Sequence, residues 1–158
     1  MDISIFINNA KLNIRTAVII ETENGYIFEK DMLYGFYVIA GGRIKINESS
    51  EEAAIREIYE ELGIKIEKLK LKSIVENFFV YDDKKYHEIC FYYRYKTNEK
   101  IKLPQGFFSL NKEEMEHNTI KPKILYEIID CENEEIKHYV INEYQDNNME
   151  NKIRVNGT

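Results

Sequence analysis

Tryptophan is absent from the 158-residue chain, and cysteine, proline and glycine are scarce, at two, two and seven residues. The two cysteines, Cys90 and Cys131, lie far apart and form no C-x-x-C pair. That spacing argues against structural zinc and a disulfide scaffold, and it leaves two ordinary thiols in a reducing compartment. No stretch approaches the roughly 18 apolar residues of a membrane span. The opening MDISIFINNAKLNIR is acidic at its second position, and its apolar run is too short for a secretion signal. A soluble, cytoplasmic protein without a membrane partner is therefore expected. Basic charge is also in short supply: Lys and Arg total 22 against 28 Asp and Glu, for a net charge of -6. Binding to polymeric nucleic acid rests on phosphate neutralisation and is not expected here. A small polyphosphate arriving with a divalent cation stays compatible with that balance. Walker loops, G-x-G-x-x-G and Ser-His-Asp patterns are missing, no internal repeat is visible, and His87, His117 and His138 are too scattered for a metal triad.

What the chain does contain is concentrated in residues 42–64, GRIKINESSEEAAIREIYEELGI. Gly42, Glu48, Arg56, Glu57, Glu60, Glu61 and Gly63 stand there in the pattern G-x5-E-x7-R-E-I-x-E-E-x-G-I. The spacing predicts a helix from about Ser49, an N-cap with Glu52 three residues on, to Leu62, with Gly63 as the stop. Glu57, Glu60 and Glu61 fall at i, i+3 and i+4 and so share one face, while Ala54, Ile55, Ile58 and Leu62 form an apolar stripe on another. Like charges so placed destabilise a helix by roughly 0.2 to 0.5 kcal/mol per pair. A compensating cation is expected, and all-oxygen ligation suits a hard divalent ion such as Mg2+. Arg56 supplies a fixed charge that can hold a neighbouring carboxylate, with Glu48 the obvious partner. A solvated acidic helix face is the plainer alternative for an isolated E-x-x-E-E; the additional Gly42, Glu48, Arg56 and Gly63 count against it.

This segment resembles the Nudix box, the signature of hydrolases that cleave nucleoside diphosphates linked to another moiety. The resemblance implies that Glu57, Glu60 and Glu61, with the main-chain carbonyl of Gly41, ligate Mg2+ or Mn2+. It also makes Glu57 a candidate to orient or deprotonate the attacking water, with Glu48 and Arg56 in support. Upstream, residues 37–42 (YVIAGG) are similar to the family's aromatic-x-x-Pro-Gly-Gly approach, with Ala40 where proline is common and Tyr37 where tryptophan is common.

The remaining pattern predicts strands at about 12–21, 26–29, 36–39, 68–79, 86–96, 106–109 and 136–142, with turns at Asn24-Gly25 and Asp82-Asp83. A second helix is expected at 121–130, opening near Pro122. Strands with helices before and after them imply an α/β protein with a layered mixed sheet. The resemblance makes this a Nudix-type α/β/α sandwich. One domain is expected over residues 1–144, followed by a polar tail, 145–158, read as disordered. Within that tail, Ile153-Arg154-Val155 leaves docking across a homodimer interface or at the substrate mouth open.

Alternation along 86–96 puts His87, Ile89, Phe91, Tyr93 and Tyr95 on one face and Glu88, Cys90, Tyr92 and Arg94 on the other. Glu88 is a candidate extra carboxylate of the metal cluster and Phe79 or Tyr92 a candidate stacking platform for a base; ordinary core packing and a surface ion pair are the alternatives. Many Nudix enzymes carry an additional catalytic glutamate in the loop before the last sheet strand, where this chain offers only Glu99. The general base stays open between Glu57, Glu88 and a loop glutamate. Expected substrates are nucleoside triphosphates, nucleotide sugars, ADP-ribose or dinucleoside polyphosphates. A nucleotide-sensing module without turnover and a hydrolase of RNA 5' ends are the rival readings.

Overall fold

Residues 10–22 begin with alternating polar and apolar side chains and continue into the apolar run 17–20, a pattern suited to a strand covered on both faces. In the computed structural model, which describes residues 1–32, 35, 37–117, 136–142 and 152–155, they form the long strand β2 (Ala10–Thr22). The other strands are β1 (Ser4–Ile7), β3 (Gly25–Lys30), β4 (Tyr37–Val38), β5 (Gly41–Arg43), β6 (Lys70–Tyr81), β7 (Lys84–Lys96), β8 (Phe107–Leu110), β9 (Lys137–Asn142) and β10 (Lys152–Val155). Two helices are described, α1 (Ser50–Leu62) and the short α2 (Lys112–His117).

The strands make one mixed sheet in the order β10-β9-β6-β7-β2-β3-β4, with β1 and β5 also on β2 and β8 on β3. The β2/β7 and β6/β9 pairs are parallel and the others antiparallel. Turn chemistry places the hairpins. Asp82 and Asp83 both adopt positive φ, 50° and 57°, as a two-residue turn between right-twisted strands requires. Between β2 and β3, the Thr22 hydroxyl donates to the Gly25 carbonyl at 2.9 Å. β2 pairs with β3 only at Glu21 and Thr22, and with β5 at residues 15–17, so β2 and β3 diverge and the double glycine enters beside β2.

α1 begins and ends where its caps dictate. The Ser49 side chain accepts from the Glu52 N–H, the Glu52 carboxylate accepts from the Ser49 N–H, and Gly63 closes the helix in the left-handed conformation at φ 69°. Ala54, Ile58 and Leu62 are buried with Val18, Ile20 and Tyr93 on one face of the sheet, and Ala53 is buried as well. Burying a side chain such as Ile58 contributes about 1.5 to 3 kcal/mol. The opposite face carries Ala17, Ile19, Phe28, Val75, Cys90 and Tyr92. Tyr93 and Tyr92 thus lie on opposite sides, as the alternation of β7 predicts. The Thr16 hydroxyl, fully buried, lies 3.1 Å from the Ser50 carbonyl and 3.2 Å from that of Phe91, tying the first turn of α1 to the sheet.

Four elements differ from the sequence reading, the short α2 being one that it did not foresee. β1 extends the sheet to residue 4, and the double glycine read as a loop is the strand β5. Within the segment read as a disordered tail, Lys152–Val155 is a strand, paired antiparallel with residues 139–142 of β9. A sheet edge offers main-chain N–H and C=O groups that pair with a strand whatever its side-chain period. The helix expected at 121–130 and Cys131 lie outside the described residues. Among the described residues, no helix is long and apolar enough to cross a membrane.

Candidate active site

Arg56 organises the polar face of α1. Its Nε donates to Glu48 Oε1 at 2.6 Å and its Nη2 to Glu48 Oε2 at 3.0 Å, a bidentate pair. Nη2 also reaches the Arg43 carbonyl at 3.2 Å, while Nη1 donates to Glu57 Oε1 at 2.7 Å and lies 3.4 Å from Glu60 Oε2. Glu48 accepts a further bond from the Lys45 N–H at 2.9 Å. Hydrogen bonding by Arg56, with the Lys45 N–H in support, lowers the Glu48 pKa to about 2. Hydrogen bonds to Glu48 and then Glu57 push the Arg56 guanidinium above its ordinary value. The expected Glu48–Arg56 pair is therefore present, and it fixes Glu57 as well.

Glu57 lies over the double glycine. A Cβ on Gly42 would fall 2.4 Å from the Glu57 Cδ, so the carboxylate occupies space that any side chain at 42 would fill. Glu61 is half-buried, and its pKa is raised to about 7 by burial first and then by the charges of Glu29 and Glu57; a bond from the Gly41 backbone and the charge of Arg15 oppose the rise. Its Oε2 is buried without a hydrogen-bond partner among the described residues. Glu57 and Glu61 thus converge on Gly41-Gly42, whereas the Glu60 side chain is 53% exposed and shares Arg56. As the side chains stand, no three His, Cys, Asp or Glu groups among the described residues form a complete metal cage. A partnerless buried carboxylate oxygen beside a second carboxylate nevertheless suits a hard divalent cation. Mg2+ in particular fills much of its coordination with water and substrate oxygens.

The remaining predicted residues separate. Glu88 is buried, with Oε2 accepting from Asn13 Nδ2 at 2.9 Å and lying 3.6 Å from Arg15 Nη1. Tyr92 is buried in the core beside Cys90. Phe79 stacks on Tyr86 with ring centroids 4.9 Å apart, next to the β6–β7 turn. Glu99 is exposed and lines a cavity of about 470 Å³ at the C-terminal end of α1, together with Leu62, Tyr95, Lys100 and Lys102. None of Glu57, Glu60 and Glu61 lines that cavity. Burial pushes the Cys90 thiol up to about 12, as befits an unreactive thiol. Sequence reasoning overlooked Arg15 and Glu29, whose charges act on Glu61. The one available signal was a lone arginine inside the apolar run LNIRTAVII.

A mixed sheet that carries a glutamate-rich helix against a double-glycine strand defines a class with solved representatives. The chain superposes on the MutT protein of Bacillus halodurans with a TM-score of 0.72 at 18% identity, over 91% of this chain and 97% of that one. A MutT protein from Methanosarcina mazei Go1 matches with a TM-score of 0.56 at 19% identity, over 78% and 93% of the two chains. In sequence, an 8-oxo-dGTP diphosphatase of Proteus vulgaris is 33% identical over 73 residues, a match spanning 44% of this chain and 65% of that relative's length. The NUDIX domain model matches residues 4–142, and the chain belongs to that family, with the α/β Nudix-type fold.

Proposed function

We propose that this Nudix protein is a divalent-metal-dependent pyrophosphohydrolase of nucleoside triphosphates. The carrying observation is the Glu57 carboxylate, gripped by Arg56 at 2.7 Å, seated over Gly42 and beside Glu61 with its partnerless oxygen. Water attacks a phosphorus of the triphosphate, the anhydride P–O bond breaks, and the products are a nucleoside monophosphate and pyrophosphate. A bound Mg2+ or Mn2+ lowers the pKa of its water and offsets charge on the phosphates. Glu57, Glu60, Glu61 and the Gly41 carbonyl are the residues to hold it. Glu57, held in one rotamer by Arg56, orients the attacking water and takes its proton. Such phosphoryl transfers depend mostly on positioning and electrostatics, which a rigid Glu48–Arg56–Glu57 chain supplies.

The triphosphate class, oxidised guanine nucleotides included, is favoured over nucleotide sugars, ADP-ribose and dinucleoside polyphosphates by the partial match to the relative named as an 8-oxo-dGTP diphosphatase. The test is phosphate and pyrophosphate release across a nucleotide panel, 8-oxo-dGTP among them, with Mg2+ or Mn2+. Preferential release of pyrophosphate from triphosphates supports the reading. Binding without turnover, or preference for a nucleotide sugar, ADP-ribose or an RNA 5' triphosphate, overturns it.

A further inference from the structure

Arg56 holds the carboxylates together and has little left for a substrate: Nε, Nη1 and Nη2 each donate to a protein oxygen. A polyphosphate approaching Glu57, Glu60 and Glu61 therefore needs another cation of the protein. Arg43 is drawn toward Asp2, 3.7 Å away. Arg15 is differently placed. Its backbone pairs with Arg43 of β5 on one side and Cys90 of β7 on the other, next to the Thr16–Gly42 pair of the site. Strand alternation puts its side chain on the sheet face of Ala17, away from the packing face of α1. The side chain is 40% exposed, and its charge is felt at Glu61.

Behind Arg15 runs a chain of hydrogen bonds across β1, β2 and β7. The Ser4 hydroxyl donates to Asn13 Oδ1 at 2.8 Å, and Asn13 Nδ2 donates to Glu88 Oε2 at 2.9 Å. Glu88 Oε2 then faces Arg15 Nη1 at 3.6 Å, beyond hydrogen-bond length. A buried carboxylate is costly unless paired, and an apolar pair of similar volume is often as stable. Here the carboxylate is fixed from behind and attracts the guanidinium, whose five N–H donors are more than this one carboxylate takes up among the described residues. We propose that Arg15 binds the phosphate oxygens of the substrate opposite the α1 carboxylates, and that Glu88, fixed by Asn13, is the residue that positions it. This rests on the triphosphate reading and adds the residue that grips the polyphosphate. Glu88 is then no metal ligand but the rear anchor of a phosphate-binding arginine.

The test uses the full chain with Mg2+ and compares Arg15→Met, Arg15→Lys and Glu88→Gln. Measured quantities are kcat and KM for the best triphosphate, inhibition by pyrophosphate, direct calorimetric binding of magnesium pyrophosphate, and melting. Arg15→Met, which keeps an apolar stem, is expected to raise KM and weaken pyrophosphate binding by about tenfold to a hundredfold. Arg15→Lys should recover part of that loss. Glu88→Gln should move KM the same way by a smaller factor, with kcat less affected. Unchanged KM and pyrophosphate affinity in Arg15→Met, with or without a fall in melting temperature, overturns the proposal and leaves a structural ion pair. The two readings fail separately. If the wild type hydrolyses no triphosphate yet binds magnesium pyrophosphate through Arg15, the reaction is wrong and the phosphate contact stands. If it hydrolyses triphosphates and Arg15→Met does too at unchanged KM, the contact is wrong and the reaction stands. If the wild type neither hydrolyses triphosphates nor binds magnesium pyrophosphate, both are wrong.

Discussion

Replacing Gly42 with alanine should silence the enzyme while leaving it folded, and the same change one residue earlier should cost chiefly stability. Neither glycine has positive φ, so alanine meets no backbone strain at either place and only its contacts matter. At position 42 the new Cβ would stand 2.4 to 2.6 Å from the carboxylate atoms of Glu57. That carboxylate ends a flexible side chain and can swing aside. Its displacement breaks the 2.7 Å bond to Arg56, a charge-assisted contact of the kind worth about 1.5 to 3 kcal/mol. Some of that loss returns as solvation and as the reduced unfolded-state entropy of alanine, about 0.4 to 1 kcal/mol. Melting should therefore shift by only a few degrees. Turnover should fall by about a hundredfold or more, since a displacement of about 1 Å in a catalytic group costs that much. At position 41 the Cβ would land 2.1 Å from the Thr16 carbonyl oxygen and 2.6 Å from the Ala17 Cα, main-chain atoms of β2 that cannot rotate away. Overpacking of this kind costs about 1 to 3 kcal/mol or more, and at about 2 to 4 °C per kcal/mol for a chain of this size the melting temperature should drop by roughly 2 to 12 °C. Thermal melts and steady-state kinetics on both variants decide the matter. Wild-type turnover in Gly42→Ala, or equal loss of stability in the two, refutes the reasoning.

Glu57→Gln and Glu61→Gln should each lower turnover by orders of magnitude with near-native melting, because neither is among the fully buried residues of α1 and glutamine keeps the size of each side chain; wild-type rates in both would remove them from the site. Excess chelator should abolish hydrolysis and added Mg2+ or Mn2+ restore it, and full activity in chelator would contradict the metal assignment. Glu48, with its pKa lowered to about 2 in the folded protein against an ordinary 4.5, contributes stability that is present above the unfolded value and lost as pH falls from about 4.5 toward 2. Glu48→Gln should remove that slope from the acid side of the stability curve, an effect of about 1 to 2 kcal/mol once solvent screening is allowed for; an identical acid limb in the two proteins would show that Arg56 does not hold Glu48. A chain ending at residue 144 loses the β10–β9 pairing and should melt about 5 °C lower with unchanged KM; a raised KM or a new oligomeric state would show a functional tail.

Local chemistry explains what could be foreseen. The limits of α1 follow from a capping box and a left-handed glycine within a few residues of each end, and the β6–β7 turn from two adjacent aspartates. The Glu48–Arg56 pair was legible because both residues belong to one short pattern. β5 was hidden because glycines carry no strand signal, and its place is set by the close approach of β2, a partner some 25 residues away in sequence. Glu88 was assigned to the correct face of β7 by alternation, but its partners Asn13 and Arg15 come from β2, beyond the reach of periodicity. Glu29 acts on Glu61 for a similar reason: the contact exists only once the sheet has assembled.

The parallel pairing of β2 with β7 joins residues 75 apart along its whole length, from Ala10 with Lys85 to Glu21 with Lys96. α1 and the double glycine lie inside the loop that this pairing closes. A loop of that size costs entropy before any contact repays it, and folds dominated by distant strand pairs form slowly. During synthesis, therefore, α1 can acquire its caps early, but the floor beneath it stays incomplete until β7 has left the ribosome. Arg15 cannot meet Glu88 before that moment, so the chain should gain its grip on phosphate late and all at once.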